Sequence, residues 1–262
     1  MKRKYDVGDL VVPDAILDLL LRCIELQKHV LITGPRGCGK TTLAHCAAQL
    51  LNRPLEVFHL GVQSDPEAVV TGSMVLRKGE TKFVRSRFIE ALTVPNCIIV
   101  LDELNRAPTG VHNSLLGLMD FQARITLDLE APDRRVVERA PGVVFVATAN
   151  LGAEYVGTEL LDAALLDRLK FIRLGYPDAE ERILLALGLP KRKAKQMTLM
   201  ANAIREQHSR GVLSASISTR GLVEAGELVG AGFPLPEVFE AVVPAFSEEA
   251  IAALRTTVRA KL

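Results

Sequence analysis

The sequence lacks a dominant charge. Thirty-two lysines and arginines stand against 31 aspartates and glutamates, a formal net charge of +1. No global field therefore draws the chain to nucleic acid or to an anionic membrane, and such a partner would need a local patch. Cysteine is scarce: Cys23, Cys38, Cys46 and Cys97 form no C-x-x-C pair and share no metal-ligand spacing with histidine. Free thiols in a reducing cytosol are the simplest reading. A long uninterrupted apolar run is also missing. The stretch from Ala15 to Leu26 is broken by Asp18, Arg22 and Glu25, far short of a membrane span, and reads as an amphipathic helix. The basic start, Met1-Lys2-Arg3-Lys4-Tyr5-Asp6, is not followed directly by a signal-peptide apolar stretch. With free thiols and no membrane-length run, a cytoplasmic protein is expected; no repeat of fixed period and no low-complexity linker is present.

What is present is ordinary for a folded chain. Hydrophobic residues make up 48% and charged residues 24% of 262 residues, enough to bury a core in one large domain or in a medium domain with a smaller companion. The runs His29 to Gly34, Leu55 to His59, Cys97 to Leu101, Val143 to Thr148 and Phe171 to Leu174 read as strands. Helical patterns lie between them, at Thr42 to Leu51, Thr109 to Met119 and Leu160 to Leu169. Nearly all-apolar strands alternating with helices predict an α/β fold, a five-stranded parallel sheet covered on both faces in an αβα sandwich. Two segments break the rhythm and predict β-hairpins: Ser73 to Val84, turning at Gly79, and Arg124 to Leu129 answered by Arg135-Val136-Val137. After Tyr176-Pro177 strand signals stop. Ala179 to Leu187, Ala194 to Gln207, Thr219 to Val229 and Pro236 to Leu262 read as helices. The expected domains are 1–176, α/β with two hairpin insertions, and 177–262, a small all-helical domain.

Gly34-Pro35-Arg36-Gly37-Cys38-Gly39-Lys40-Thr41 fits G-x-x-x-x-G-K-[ST]. Its glycines let successive backbone N–H groups turn inward on phosphates, its lysine reaches the β and γ phosphates, and its hydroxyl ligates Mg²⁺. The loop leaves a strand and opens a helix, whose positive end adds to the anion site, with Thr42 in the first turn. Further on, Ile98-Ile99-Val100-Leu101-Asp102-Glu103 sets two carboxylates at the C-terminal end of a buried strand, where ligand sites of open parallel sheets lie. Asp102 is expected to hold Mg²⁺ through water, and Glu103 to act as general base on the attacking water. Cys38 lies inside the loop, where nucleotide would shield it.

Together with Asp102-Glu103-Leu104-Asn105-Arg106-Ala107, Ala149-Asn150, Leu165-Leu166-Asp167-Arg168 and the two hairpins, this arrangement resembles the AAA+ ATPases and, within them, the MoxR-type branch. The resemblance spans roughly Leu31 to Arg220, and the helical remainder looks like the AAA+ lid. It implies ATP as the nucleotide and Asn150 as sensor 1. Arg168 becomes the arginine finger that reaches a neighbouring subunit, and Arg220 becomes sensor 2. The hairpins would face a pore or partner. It further implies a ring, a hexamer, that would remodel or activate a partner protein with a von Willebrand A-type domain. Arg106 is expected to brace the loop beyond Glu103.

The stretch from Gly152 to Arg168, including Val156-Gly157-Thr158, also looks like the motor subunit of cobalt and magnesium chelatases. A nucleic-acid motor is disfavoured by the neutral charge and by the absence of an appended DNA-binding motif. A scaffold that binds ATP without hydrolysing it is disfavoured by Asp102, Glu103 and Arg168. No aromatic-glycine pore loop of a threading unfoldase is evident. The basic cluster 191–195 reads as a solvated helix start, and His45, His59, His112 and His208 as ordinary residues.

Overall fold

A computed structural model describes residues 12–61, 65–77, 79–150, 161–177, 179–245 and 247–261. The basic start, Val156-Gly157-Thr158, and the ends Leu160 and Leu262 of two expected helices lie outside the described residues. Contacts divide the chain into two units: Pro13–Gly34 with Lys40–Leu174, and Pro35–Gly39 with Gly175–Leu262. Among the described residues no helix is long and apolar enough to cross a membrane.

The first unit begins with α1 (Asp14–Glu25), whose Leu17, Leu20, Leu21 and Ile24 are buried at helical spacing while Asp18, Arg22 and Glu25 lie on other faces. There follow β1 (His29–Thr33), α2 (Lys40–Leu50), β2 (Leu55–His59) and α3 (Pro66–Val70). The first hairpin is β3 (Gly72–Arg77) with β4 (Glu80–Arg85), and α4 (Arg87–Leu92), β5 (Ile98–Asp102) and α5 (Thr109–Met119) come next. The second hairpin, β6 (Arg124–Thr126) with β7 (Val136–Glu138), precedes β8 (Val144–Ala149), α6 (Ala163–Asp167) and β9 (Leu169–Arg173).

Five strands form one sheet in the order β2-β5-β8-β1-β9, every neighbouring pair parallel. Every residue of β1 and β8 is buried, the pattern of strands covered on both faces. Helices flank this sheet, as expected, and Leu31, Phe88, Ile99, Leu101, Leu115 and Phe145 lie in its main core.

Two expectations for this unit need correction. The helix placed from Leu160 to Leu169 is the five-residue α6: Asp162 caps it by accepting from Ala164 N at 2.6 Å, and Leu169 already pairs with His29 in the sheet. The second hairpin has three-residue strands instead of one running to Leu129, because Glu130 turns inward. Its side chain is almost fully buried and accepts from Arg85 Nε and Arg134 Nη2, each at 3.0 Å, and from Ala131 N at 3.1 Å. These bonds, led by the Ala131 N–H, hold the Glu130 carboxyl below its ordinary pKa.

The second unit contains α7 (Glu180–Ala186), α8 (Lys191–Ser209), α9 (Thr219–Gly230), α10 (Leu235–Val242) and α11 (Glu248–Arg259) around Met197, Ile204, Leu222, Phe239 and Leu254. The single helix expected from Pro236 is two helices. Pro244 cannot continue the backbone ladder and biases Val243 to extended geometry (φ −95°, ψ 117°), and Ser247 starts α11 afresh by accepting from Ala250 N at 3.1 Å. The basic residues Lys191, Arg192 and Lys193 are exposed in the first turn of α8.

Glu180 is 1% exposed, and its two oxygens accept from Arg205 Nη1 and Nη2 at 2.6 and 2.8 Å. Thr219 Oγ1 donates to the same carboxylate at 2.6 Å, Arg205 Nε donates to Ile217 O at 2.9 Å, and the guanidinium lies 3.8 Å from the centroid of the Tyr176 ring. Removing one partner of such a pair strands a buried charge. Arg205→Ala should therefore cost about 3–5 kcal/mol, read by chemical denaturation.

In the first unit, buried His29 has its Nδ1 3.1 Å from Phe145 N and its Nε2 2.6 Å from Arg139 Nη1. Burial first, then the charges of Arg139 and Lys28, lower its pKa to about 3. The unfolded chain therefore takes up this proton near pH 6.5 while the folded chain resists it, so stability should fall as pH drops from about 6.5 towards 3. Melting temperature measured against pH should show this slope, and it should flatten in His29→Asn.

Candidate active site

The loop 34–39 joins β1 to α2. Gly37 and Gly39 take φ of +68° and +94°, where a side chain would be strained. An added Cβ at Gly37 would also lie 2.8 Å from Ser218 Cβ and 3.6 Å from Arg220 Cβ, which belong to the same unit as Pro35–Gly39. Cys38 is buried, and Arg36 and Thr42 are exposed. Lys40 opens α2 and is only 8% exposed. Its Nζ donates to Gly34 O at 3.0 Å and to Asn150 Oδ1 at 2.6 Å. Sheet order explains the second bond, because β8, which Asn150 follows, is the direct neighbour of β1.

Asp102 ends β5, on the other side of β8. Its Oδ1 accepts from Thr41 Oγ1 at 2.8 Å and from Thr148 Oγ1 at 2.7 Å, and its Oδ2 lies 3.0 Å from His59 Nδ1. One carboxylate thus joins α2, β8 and β2 to β5. Glu103 follows in the left-handed region (φ 57°, ψ 45°), rare for a residue with a side chain and typical of strained functional turns. Its backbone N donates to Thr148 Oγ1 at 3.1 Å, and its carboxylate meets Arg106 Nε at 3.5 Å, which places Arg106 against this loop. Both side chains lie over Gly61, where an added Cβ would run into Glu103 Oε2 and lie 2.7 Å from Arg106 Cδ.

Lys40, Thr41, Asp102 and Asn150 therefore converge at the C-terminal ends of the central strands. Thr148, His59, Asn105 and Gly61 join them without having been singled out in the sequence. Asn105 Nδ2 donates to Asn150 O at 2.8 Å, which fixes the backbone that carries the expected sensor. Reading His59 as an ordinary residue is corrected by its contact with Asp102; its place at the end of the strand next to the Asp102 strand was the available signal.

Arg168 stands apart from this cluster. It caps α6, donates to Ala164 O at 2.7 Å and pairs with Asp120 Oδ2 at 3.1 Å, with the two side chains just over a quarter exposed. The Arg168 bond, together with backbone N–H groups, holds the partly buried Asp120 carboxyl below its ordinary pKa. Arg220 is exposed in the first turn of α9, which Ser218 caps by accepting from Gly221 N at 3.0 Å.

A parallel five-stranded sheet with a glycine-rich loop, lysine and threonine after its first strand defines a P-loop nucleoside triphosphatase fold. The chain belongs to the AAA domain family, dynein-related subfamily, which it matches over residues 29–169, and residues 180–260 match the CbbQ/NirQ/NorQ C-terminal family, as in AAA+ ATPases of the MoxR type. The resemblance carried by Asp102 to Ala107 pointed to the same branch.

The protein named "Putative chaperone BssE" of Thauera aromatica is 35% identical over 234 residues, covering 86% of this chain and 79% of that one. The Staphylococcus saprophyticus protein SSP1341 is 29% identical over 161 residues, 60% of this chain and 59% of its own length. Among solved structures, the RuvB Holliday junction branch migration motor of Thermotoga maritima superposes with a TM-score of 0.51 at 18% identity, covering 95% of this chain and 70% of that one. A RuvB mutant from the same organism reaches 0.56 at 16% identity over the same shares. At that identity the likeness concerns the fold.

Lys40→Met keeps most of the length of the side chain and removes the charge. It should weaken binding of a fluorescent ATP analogue by roughly 10- to 150-fold, equivalent to the ~1.5–3 kcal/mol of a hydrogen bond to a charged group.

Proposed function

We propose that this chain hydrolyses ATP with Mg²⁺, in the cytoplasm and as a ring, most simply a hexamer, to remodel or activate a partner protein. The observation that carries this reading is the meeting of Lys40 and Thr41, in the first turn of α2, with Asp102 and Asn150 at adjacent strand ends of one sheet, the meeting that phosphate binding and water activation both require.

The residues present fit Mg²⁺. The Thr41 hydroxyl offers a hard oxygen ligand beside the Asp102 carboxylate, which would hold the ion through one of its waters, because a nucleotide-bound Mg²⁺ keeps several waters and needs few protein ligands. Thr41 and Asp102 would hold it, and it would neutralise charge on the β and γ phosphates.

The chain's own residues supply the rest. Backbone N–H groups of Gly34, Pro35, Arg36, Gly37, Cys38 and Gly39, proline excepted, would cradle the phosphates, with Thr42 in the helix turn behind them. Lys40 would move its ammonium from Asn150 and Gly34 O to the phosphate oxygens. Asn150, released from Lys40, would orient the attacking water, and Glu103 would take its proton. The left-handed turn supports the last assignment, because it breaks strand geometry immediately after Asp102 and turns the Glu103 side chain over Gly61. Arg220 would respond to nucleotide from the lid, 177–262.

Arg168 is assigned as the group that completes a neighbouring subunit's site, where a guanidinium would offset charge on the transferred phosphoryl group. Its bond to Asp120 supports this role by holding the side chain at the surface, clear of the Asp102 cluster of its own chain. A protein partner is favoured by the relative named as a chaperone, and a von Willebrand A-type domain is the form of partner we propose.

The test is steady-state ATP hydrolysis against protein concentration, with mass measured at each point. Turnover per subunit should rise as rings form, and Arg168→Ala should cut it by roughly 10³-fold or more while ATP still binds. Turnover that is independent of concentration and of Arg168 would overturn the trans-acting ring. Glu103→Gln should retain ATP binding and lose roughly 10²–10⁴-fold in turnover. Gly61→Ala, which displaces the Glu103 carboxylate without removing it, should cost up to about 10²-fold.

A further inference from the structure

Asp102 is held unevenly. Two hydroxyls, from Thr41 and Thr148, share Oδ1, whereas Oδ2 has the His59 imidazole as its one protein partner among the described residues. The terminal torsion of an aspartate is broad and roughly two-fold, so a carboxylate held on one oxygen can still pivot about it. A bond to the second oxygen stops that pivot.

The backbone puts His59 in position to do this. β2 is the edge strand of the sheet and runs parallel to β5 with His59 directly opposite Asp102, and Leu60 N continues the ladder by donating to Asp102 O at 3.0 Å. The imidazole fills no core, since its side chain is 59% exposed. Facing a carboxylate, Nδ1 must donate, and it can do so both as the neutral ring protonated at Nδ1 and as imidazolium. The bond therefore does not depend on the charge of His59.

We propose that His59 is a positioning residue for the metal site: by donating to Oδ2 it fixes the rotation of Asp102, so that the carboxylate is presented ready-oriented to the Mg²⁺ that accompanies the nucleotide. This rests on the assignment of Thr41 and Asp102 as the metal-holding pair. Groups that hold a metal, directly or through its waters, do so better when hydrogen bonds orient them, and loss of an outer-shell partner typically costs about 10- to 100-fold in metal affinity.

The experiment titrates a fluorescent ATP analogue into the full chain at graded Mg²⁺ and, separately, in EDTA. His59→Ala should raise the Mg²⁺ concentration needed for half-maximal tightening by about tenfold and leave the affinity in EDTA unchanged. His59→Asn, whose side-chain amide can also donate, should recover most of the difference. Thr41→Val serves as the control. If Thr41→Val shifts the Mg²⁺ dependence and His59→Ala does not, the positioning role is overturned while the metal site stands. If His59→Ala weakens binding equally in EDTA, or His59→Asn fails to recover the Mg²⁺ dependence, the histidine serves the fold and the proposal is again overturned. If Thr41→Val itself leaves the Mg²⁺ dependence untouched, the metal-site assignment falls and this inference with it.

Discussion

An aspartate at the end of a buried strand must be compensated, because a charge removed from water without partners costs more than a small domain can supply. Asp102 is compensated by a hydroxyl from the helix after the phosphate loop, a hydroxyl from the neighbouring strand on one side, and an imidazole from the neighbouring strand on the other. The strand order β2-β5-β8-β1-β9 is what makes these partners available. Were β8 not inserted between β5 and β1, Thr148 could not reach Asp102, nor Asn150 reach Lys40. The convergence of Lys40, Thr41 and Asn150 with Asp102 and the solvation of that one carboxylate are thus the same problem, and the order of the sheet solves both.

Much of this was legible in the sequence because it is local. The phosphate loop needs glycines in positive φ beside a lysine and a threonine, and the strands need unbroken apolar runs; both can be read within a few residues. Asp102 and Glu103 announced themselves by following such a run. What could not be read was partnership. Thr148 sits in an apolar strand and His59 at the end of another, and only strand order shows that they share Asp102. Asp120 and Arg168 are likewise far apart in the chain. The division of the last expected helix was within reach, since Pro244 marks it, but the apolar spacing on both sides made the segment read as continuous.

The helical unit follows the same economy. Glu180 and Arg205 join α7, α8 and the start of α9 through one buried ion pair, and the residues so fixed, Ile217 and Thr219, immediately precede Arg220. A buried pair of this kind contributes little net stability compared with apolar packing. Its effect is to give the first turn of α9 one position.

Glu130 does something comparable for the two hairpins. Arg85 closes the first and Arg134 lies in the loop of the second, and both guanidinium groups end on the same nearly buried carboxylate, with Arg85 also donating to Arg134 O at 2.8 Å. Although they are separate insertions in the chain, the two hairpins are joined through this one carboxylate. The tie runs from the base of the first hairpin, where Arg85 pairs with Gly72, to the loop of the second, which carries both Glu130 and Arg134.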